Sequence, residues 1–420
     1  MLYYGLTWRP ATDNLGDDLV TLAAMQHLPR VDRILDADAL DAPLQDFTDE
    51  DRLVLLAPGL FLRSSAHWPP EKHTAPVCIG VHISEGDAWG LPLSTLDGAG
   101  YDALAACAPI AARDVRTADR LAKLNIPHTL TGCITLTLEH PKVHRSGIVC
   151  CDVPEEVVSV IREFRQDVTL VTHAVSSPST DFESRMADAK ALLTRYASAE
   201  MVFTRRLHCA MACLAVGTPV LMLYHAEYED ISRFAPMDAM VRRQPVDDFL
   251  RELRQHGMPA PWRNPADVGS IQRILQNAVA DGISRAEKQP LPLVSPAVAN
   301  TWKQDRIRRM MSTAAAKIQR LENQHYDDLH AKFSQLVLEE DVKVTLQELL
   351  SLPEVENALR AASLRLQLEK LPAKEQKLLM ANHKRNMVDI DDLIRKGYGA
   401  LSQLGWPENN DEDALKGFPL

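Results

Sequence analysis

The sequence predicts a doubly wound α/β fold in two parts, followed by a helical C-terminal region. Three observations carry that expectation. Short apolar runs of strand length alternate with helical stretches through residues 1–290. The alternation restarts near Gly147. From about Ser295 glycine is absent until Gly397, and charged, helix-favouring sequence takes over. The boundaries implied are 1–142, 143–294 and 295–420, giving two α/β domains of similar size with a cleft between them and a helical remainder.

In chain order, Leu2-Tyr3-Tyr4-Gly5-Leu6-Thr7-Trp8 reads as the first strand. A polar turn ending in Asp13-Asn14-Leu15-Gly16-Asp17-Asp18 hands it over to a helix. Asn14 or Asp13 serves as N-cap, Gly16 allows close backbone approach, and Asp17-Asp18 suit the positive helix end. Further strands are expected at 54–60 and 76–82, where His82, at a strand end, reads as structural. Helices near 101–107 and 115–124 flank the segment entering Arg113-Asp114. The second part shows strands at 148–151, 168–173, 201–203, 219–224 and 239–241, with helices at 154–164, 186–196, 209–215, 247–255 and 267–279. Beyond it Ile318, Leu321, His325, Leu329, Phe333 and Leu336 fall on one helical face, and Pro353 and Pro372 argue against one long coiled coil.

Composition narrows the chemistry. A net charge of −11 over 420 residues disfavours a general nucleic-acid binder but permits a local basic pocket. The first residues lack the pattern of a signal peptide, and no apolar run approaches membrane-spanning length, so a cytoplasmic protein is expected. Seven cysteines without a CxxC pair argue against a disulfide framework or a structural zinc site. Cys209 and Cys213, one helical turn apart beside His208, read as small core residues, and neither metal nor cofactor is expected.

The most informative stretch is 201–224. An apolar strand gives way to Thr204-Arg205-Arg206-Leu207-His208, then to a helix of small residues that Gly217 stops and Pro219 keeps from resuming. Two arginines and a histidine thus stand where a strand hands over to a helix. There the first helical N–H groups are unpaired and the helix end is positive, an arrangement suited to a small anion.

The order of Asn14-Leu15-Gly16-Asp17, Arg113-Asp114, Thr131-Gly132-Cys133, Arg206-Leu207-His208 and Gly217-Thr218-Pro219-Val220, with a strand ending in Tyr224, resembles the polysaccharide pyruvyl transferase family. The resemblance spans about residues 1–290. It implies two Rossmann-like domains in a GT-B-like arrangement with the active site in the cleft. It also implies transfer of an enolpyruvyl-derived group from phosphoenolpyruvate to a sugar of a surface glycan or its lipid-linked precursor, as a ketal. Arg206 and His208 are thereby implicated in donor binding and catalysis, and Asn14, Gly16 and Asp17 fall on the acceptor side. The residue types agree with such chemistry: an arginine fork holds a carboxylate or phosphate, histidine shuttles protons near neutrality, and Asp17 suits a base toward an acceptor hydroxyl.

Arg113, Arg205 and Tyr224 complete the candidate substrate-binding set, together with Glu227. Members of that family carry a Tyr-x-x-Lys pattern, whereas Tyr224-His225-Ala226-Glu227 places an anion at the lysine position. Such a reversal disfavours phosphate binding by about 1 kcal/mol or more. Pro58-Gly59 stands where the family has Gly-Gly. Two alternatives stay open: a GT-B glycosyltransferase with a nucleotide-sugar donor, Glu227 then receiving a ribose hydroxyl, and a non-catalytic scaffold. The helical remainder is expected to serve homo-oligomerisation or docking, or to cover the α/β body. A cytoplasmic protein, peripheral at the inner membrane face, fits a lipid-linked acceptor.

Overall fold

The computed structural model describes residues 1–306 apart from 11, 61, 63–66, 85–89, 176–180, 226–239 and 266–267. Glu227 and the helices expected beyond residue 306 lie outside the described residues. Met1–Gln304 form one compact unit.

The first sheet contains β1 (Leu2–Trp8), β2 (Arg33–Asp36), β3 (Arg52–Pro58) and β4 (Thr74–Ile79), all parallel, in the order β2-β1-β3-β4. Beyond β4, and before the two-residue pair β5 (Ile83–Ser84) and β6 (Leu91–Pro92), the chain bends at Gly80. Val81 then bridges Ala112 in β7 (Ile110–Ala112), which pairs in parallel with β8 (His128–Leu130). The second sheet contains β9 (Ile148–Cys151), β10 (Val168–Val171), β11 (Met201–Thr204), β12 (Val220–Tyr224) and β13 (Arg242–Pro245). It too is wholly parallel, in the order β10-β9-β11-β12-β13. The connecting helices are α1 (Leu15–Met25), α2 (Gly98–Ala106), α3 (Val115–Lys123), α4 (Glu155–Phe164), α5 (Phe182–Ser198), α6 (Leu207–Ala215), α7 (Val246–His256) and α8 (Gly269–Ala286). The fold is mixed α/β with parallel sheets, as alternating strand and helix patterns require.

Apolar side chains explain the layering. One core is shared by the inner faces of the two halves: Leu6, Trp8 and Leu19 meet Val149, Tyr196, Val202 and the α6 residues Cys209 to Leu214. Two further cores lie apart from it. One contains Leu53, Leu55 and Trp68, the other Ile148, Phe203 and Phe249. Alternate residues of β3 and β11 therefore serve different cores, the signature of strands covered on both faces. In α6 the residues from Cys209 to Leu214 are all buried, so its small side chains let the helix lie close to the sheet. Gly217, at φ 71°, ends it, and Arg145 donates to the carbonyls of Gly217 (2.8 Å) and Val216 (2.7 Å).

Some elements depart from expectation for visible reasons. β2 (RILD) and β13 (RRQP) are edge strands with no apolar run, and the strand expected at 239–241 is found at 242–245 instead. The helix expected at 267–279 runs on to Ala286 and packs against β4: a β-carbon on Gly282 would lie 2.5 Å from Val77 Cγ1. Residues 296–306 are also helical, and Trp302 Nε1 donates to Asp97 at 3.1 Å over Gly98 and Gly100. Among the described residues no helix is long and apolar enough to cross a membrane.

Candidate functional site

In an open parallel sheet the ligand crevice opens at the carboxyl ends of the strands where the order reverses. In the first sheet that point lies between β1 and β3, in the second between β9 and β11. The two points meet. Asn14 forms an isolated antiparallel bridge with Ala174, Leu15 N–H donates to the His173 carbonyl at 2.8 Å, and Val175 N–H donates to the Asp13 carbonyl at 2.8 Å.

On the β1 side, Asn14 caps α1: its Oδ1 accepts from Gly16 N–H at 3.1 Å, and its Nδ2 donates to Asp17 at 3.3 Å. The Thr12 hydroxyl donates to Asp17 at 2.7 Å. Burial pushes the Asp17 carboxyl up from the ordinary carboxylate range, and Thr12 and Arg9 only partly offset it. Asp18, one residue on, is fully buried; it pairs with the equally buried Arg185 of α5 and accepts from Trp8 Nε1 at 3.0 Å. That pair ties α1 to α5.

On the β11 side, Arg206 is the N-cap residue of α6, with no side-chain cap and no acid in the first turn. Its backbone N–H donates to the Thr204 hydroxyl at 2.9 Å. Its Nε donates to Asp152 at 2.7 Å, while the side chain remains 43% exposed, so its terminal nitrogens are accessible to a ligand. Asp152 follows β9 directly with φ 50°, a left-handed conformation that aspartate tolerates better than most residues. Burial raises its carboxyl, but Thr172, the His173 N–H and Arg206 outweigh burial and hold it below the ordinary range. His208 is buried in the first turn of α6.

Gly16 joins the two sides. A β-carbon there would lie 2.9 Å from His208 Nδ1 and 3.0 Å from His173 Nδ1. Glycine is required by close approach rather than by a turn, as its position in the motif suggested. Asp17 and His208 thus flank one contact, with Arg206 two residues from His208.

Arg113 is buried with its Nε 3.6 Å from Asp114; burial pushes the guanidinium down, with Cys133, Asp114 and Asp17 acting the other way. It therefore lies within electrostatic reach of Asp17. Asp114 caps α3 by accepting from Thr117 N–H at 2.9 Å, and its second oxygen lies 2.6 Å from His82 Nδ1. His82, read from sequence as structural, stands with the buried Arg113-Asp114 pair. Arg205 is partly buried beside Arg206. Tyr224 is not brought to the Gly16 contact: it lines a cavity of about 630 Å³ with Arg243, Phe249 and Trp262, against α7.

Sequence reasoning missed Asp152 and His173. Asp152 directly follows β9, which flanks the reversal point of the second sheet, and that is the signal that would have found it; His173 lies two residues past the neighbouring edge strand β10. Cys151, His173 and Cys209 also place one donor atom each within 4.8 Å of one another. His173 Nε2 lies 2.8 Å from the Tyr196 hydroxyl, which donates to Cys151 Sγ at 3.3 Å. The thiols of Cys151 and Cys209 are pushed well up, Cys151 first by its contact with Cys209 and Cys209 first by burial. The three form a hydrogen-bonded core network with Tyr196.

Comparison with known proteins bears on what this site does. No curated protein gives a significant sequence match. Among solved structures, an uncharacterized protein of Klebsiella pneumoniae subsp. pneumoniae NTUH-K2044 aligns at 11% identity and a TM-score of 0.33. That alignment covers 56% of this chain and 87% of the other. The family model for polysaccharide pyruvyl transferase matches residues 14–227, beginning at the Asn14 cap and running through both handovers. The chain belongs to the polysaccharide pyruvyl transferase family.

Proposed function

We propose that the protein transfers the pyruvyl unit of phosphoenolpyruvate to two hydroxyls of a saccharide, forming a ketal on a surface glycan or its precursor. The observation that carries this reading is the uncapped start of α6, where Arg206 is held through Nε by Asp152 and keeps its terminal nitrogens exposed beside His208. A guanidinium fork beside a helix start whose N-cap side chain makes no cap bond suits a ligand that carries a carboxylate and a phosphate close together.

The reaction needs two proton movements. The first sugar hydroxyl adds across the enol double bond: its oxygen bonds C2, and a proton enters at C3 to make the methyl group. The second hydroxyl oxygen bonds C2 as phosphate departs, and its proton leaves with the phosphate or passes to a base. His208 suits the proton delivered to C3, and Asp17, raised by burial, suits the base toward a hydroxyl. Arg206 and the α6 N-terminus stabilise the departing phosphate. Arg113, Arg205, Asn14 and Gly16 line the acceptor and donor approaches in this reading, Tyr224 ends β12, and Glu227 is kept as a candidate contact on sequence grounds alone.

The meeting of two parallel sheets at their carboxyl ends supports a GT-B-like reading, with residues 1–142 on the acceptor side and 143–294 on the donor side. A lipid-linked acceptor places the protein in the cytoplasm at the inner membrane face, with residues 295–420 serving self-association. A thermal-shift series with phosphoenolpyruvate, UDP, GDP and CMP tests the donor. Stabilisation by phosphoenolpyruvate that vanishes in Arg206→Ala is the expected result. Stabilisation by a nucleotide instead points to a nucleotide-sugar donor, and by none to a scaffold.

A further inference from the structure

We infer that Cys151, His173 and Cys209 form a binding site for a thiophilic divalent cation, zinc by the preference of its ligands, that staples β9, the end of β10 and the start of α6 together. The inference goes beyond the transferase reading and does not depend on the donor. Its ground is a juxtaposition that no local pattern contains. Cys209 alone reads as a small helix residue, but the fold brings to it the last residue of β9 and a histidine two residues past β10. One donor atom of each, two sulfurs and a ring nitrogen, lies within 4.8 Å of the others, and all three residues are buried.

The spacing suits zinc. With zinc–sulfur bonds of about 2.3 Å and a zinc–nitrogen bond of about 2.0–2.1 Å, the ligand atoms of a tetrahedral site stand about 3.5–4 Å apart. The trio reaches that spacing by closing about 1 Å. The Tyr196 hydroxyl, 2.8 Å from His173 Nε2 and 3.3 Å from Cys151 Sγ, faces the same cluster and is placed to close the fourth position. The chemistry balances. Two thiols release two protons to water as two sulfur–zinc bonds form, and a neutral imidazole offers one unprotonated nitrogen in either tautomer. Two thiolates cancel the two charges of the ion, so the loaded site buries no net charge in a core where an unpaired charge is costly.

The ion has a structural part to play. Cys151 and Cys209 are 0% exposed and His173 1%, so substrate does not reach it. Cys151 is followed by Asp152, whose Oδ2 accepts from Arg206 Nε at 2.7 Å and from the His173 N–H at 2.9 Å. The His173 carbonyl accepts from Leu15 N–H at the start of α1. Two of the three ligands are therefore one step from the aspartate that tethers Arg206, and the third lies in the first turn of α6. An ion at their meeting point holds these segments in register.

The test is the metal content of the full chain. Expressed in zinc-supplemented medium and freed of loosely held metal, the wild type is expected to carry about one zinc per chain by elemental mass spectrometry. Cys151→Ser and Cys209→Ser are expected to carry at least about tenfold less. Cys150→Ala, whose sulfur belongs to the core on the other face of β9, is expected to keep the ion. Expression with cobalt in place of zinc gives the wild type a thiolate-to-cobalt charge-transfer absorption, which decides the matter if the serine variants do not fold.

Wild type with less than about 0.1 zinc per chain overturns the inference. So does zinc retained equally in Cys151→Ser and Cys209→Ser, or, where those variants do not fold, a cobalt-grown wild type without the thiolate absorption. Phosphoenolpyruvate binding, measured alongside by calorimetry, bears on the donor alone, so failure of the one reading is distinguishable from failure of the other.

Discussion

The starts of α1 and α6 are the same local design turned to opposite ends. Each follows a buried parallel strand at the reversal point of its sheet, and each meets the other across Gly16. At α1 the helix end is closed: Asn14 caps it, Thr12 binds Asp17, and Asp18 is buried against Arg185. At α6 the N-cap residue is an arginine that makes no cap bond, with no acid in the first turn. The difference teaches where an anion goes. A capped helix start with two carboxylates repels a phosphate, whereas an uncapped start beside a tethered guanidinium attracts one. In the proposed reading the acidic side supplies a base, and the basic side grips the charge.

The largest expected effect breaks the closed end. Asp18→Ala strands Arg185 as an uncompensated buried charge whose Nη1 already lacks a partner among the described residues. A loss of about 3–5 kcal/mol in denaturant unfolding is expected. Gly16→Ala comes next. A β-carbon at 2.9–3.0 Å from both imidazoles must push one aside. A loss of about 1–3 kcal/mol is expected, together with a disturbed His208 NMR signal. Asn14→Ala leaves Gly16 N–H without its acceptor and is expected to cost about 1 kcal/mol, since α1 relies on that cap.

The smallest effect depends on pH, and its sign sharpens the contrast. Burial raises the Asp17 carboxyl in the fold, so the folded state favours its protonated form. The associated stability is full below the unfolded carboxyl range and is lost as pH rises through the raised folded value. Asp17→Asn, a stand-in for the protonated acid, is therefore expected to match wild type at low pH and to exceed it in melting temperature at pH 7–8. Equal melting temperatures at low pH and at pH 7–8 contradict the account of Asp17 as a carboxyl raised by desolvation.

Much of this arrangement was legible in the sequence because it obeys local rules. The Asn14 cap, the Gly217 stop and the small residues of α6 each declare a backbone need that one residue type meets. The edge strands β2 and β13 were not legible, since an edge strand needs no apolar run and theirs, RILD and RRQP, has none. His82 was read as structural because its partner, Asp114, lies 32 residues away and only the fold brings them to 2.6 Å. Asp152 and His173 escaped for the same reason: each gains meaning from the strand order, which no local pattern encodes. Gly16 shows the intermediate case. Its need for close approach was readable, but the two imidazoles that approach it come from distant segments.

The central claim of the proposed reading is that the start of α6, where Arg206 makes no cap bond, holds the doubly charged donor. Isothermal titration of phosphoenolpyruvate into the wild type, Arg206→Ala and Asn14→Ala tests it most directly. Saturable binding to the wild type is expected, weakened at least about tenfold in Arg206→Ala through loss of charge-assisted hydrogen bonds, and nearly unchanged in Asn14→Ala. Equal binding to wild type and Arg206→Ala, or binding lost in Asn14→Ala while Arg206→Ala retains it, contradicts the claim.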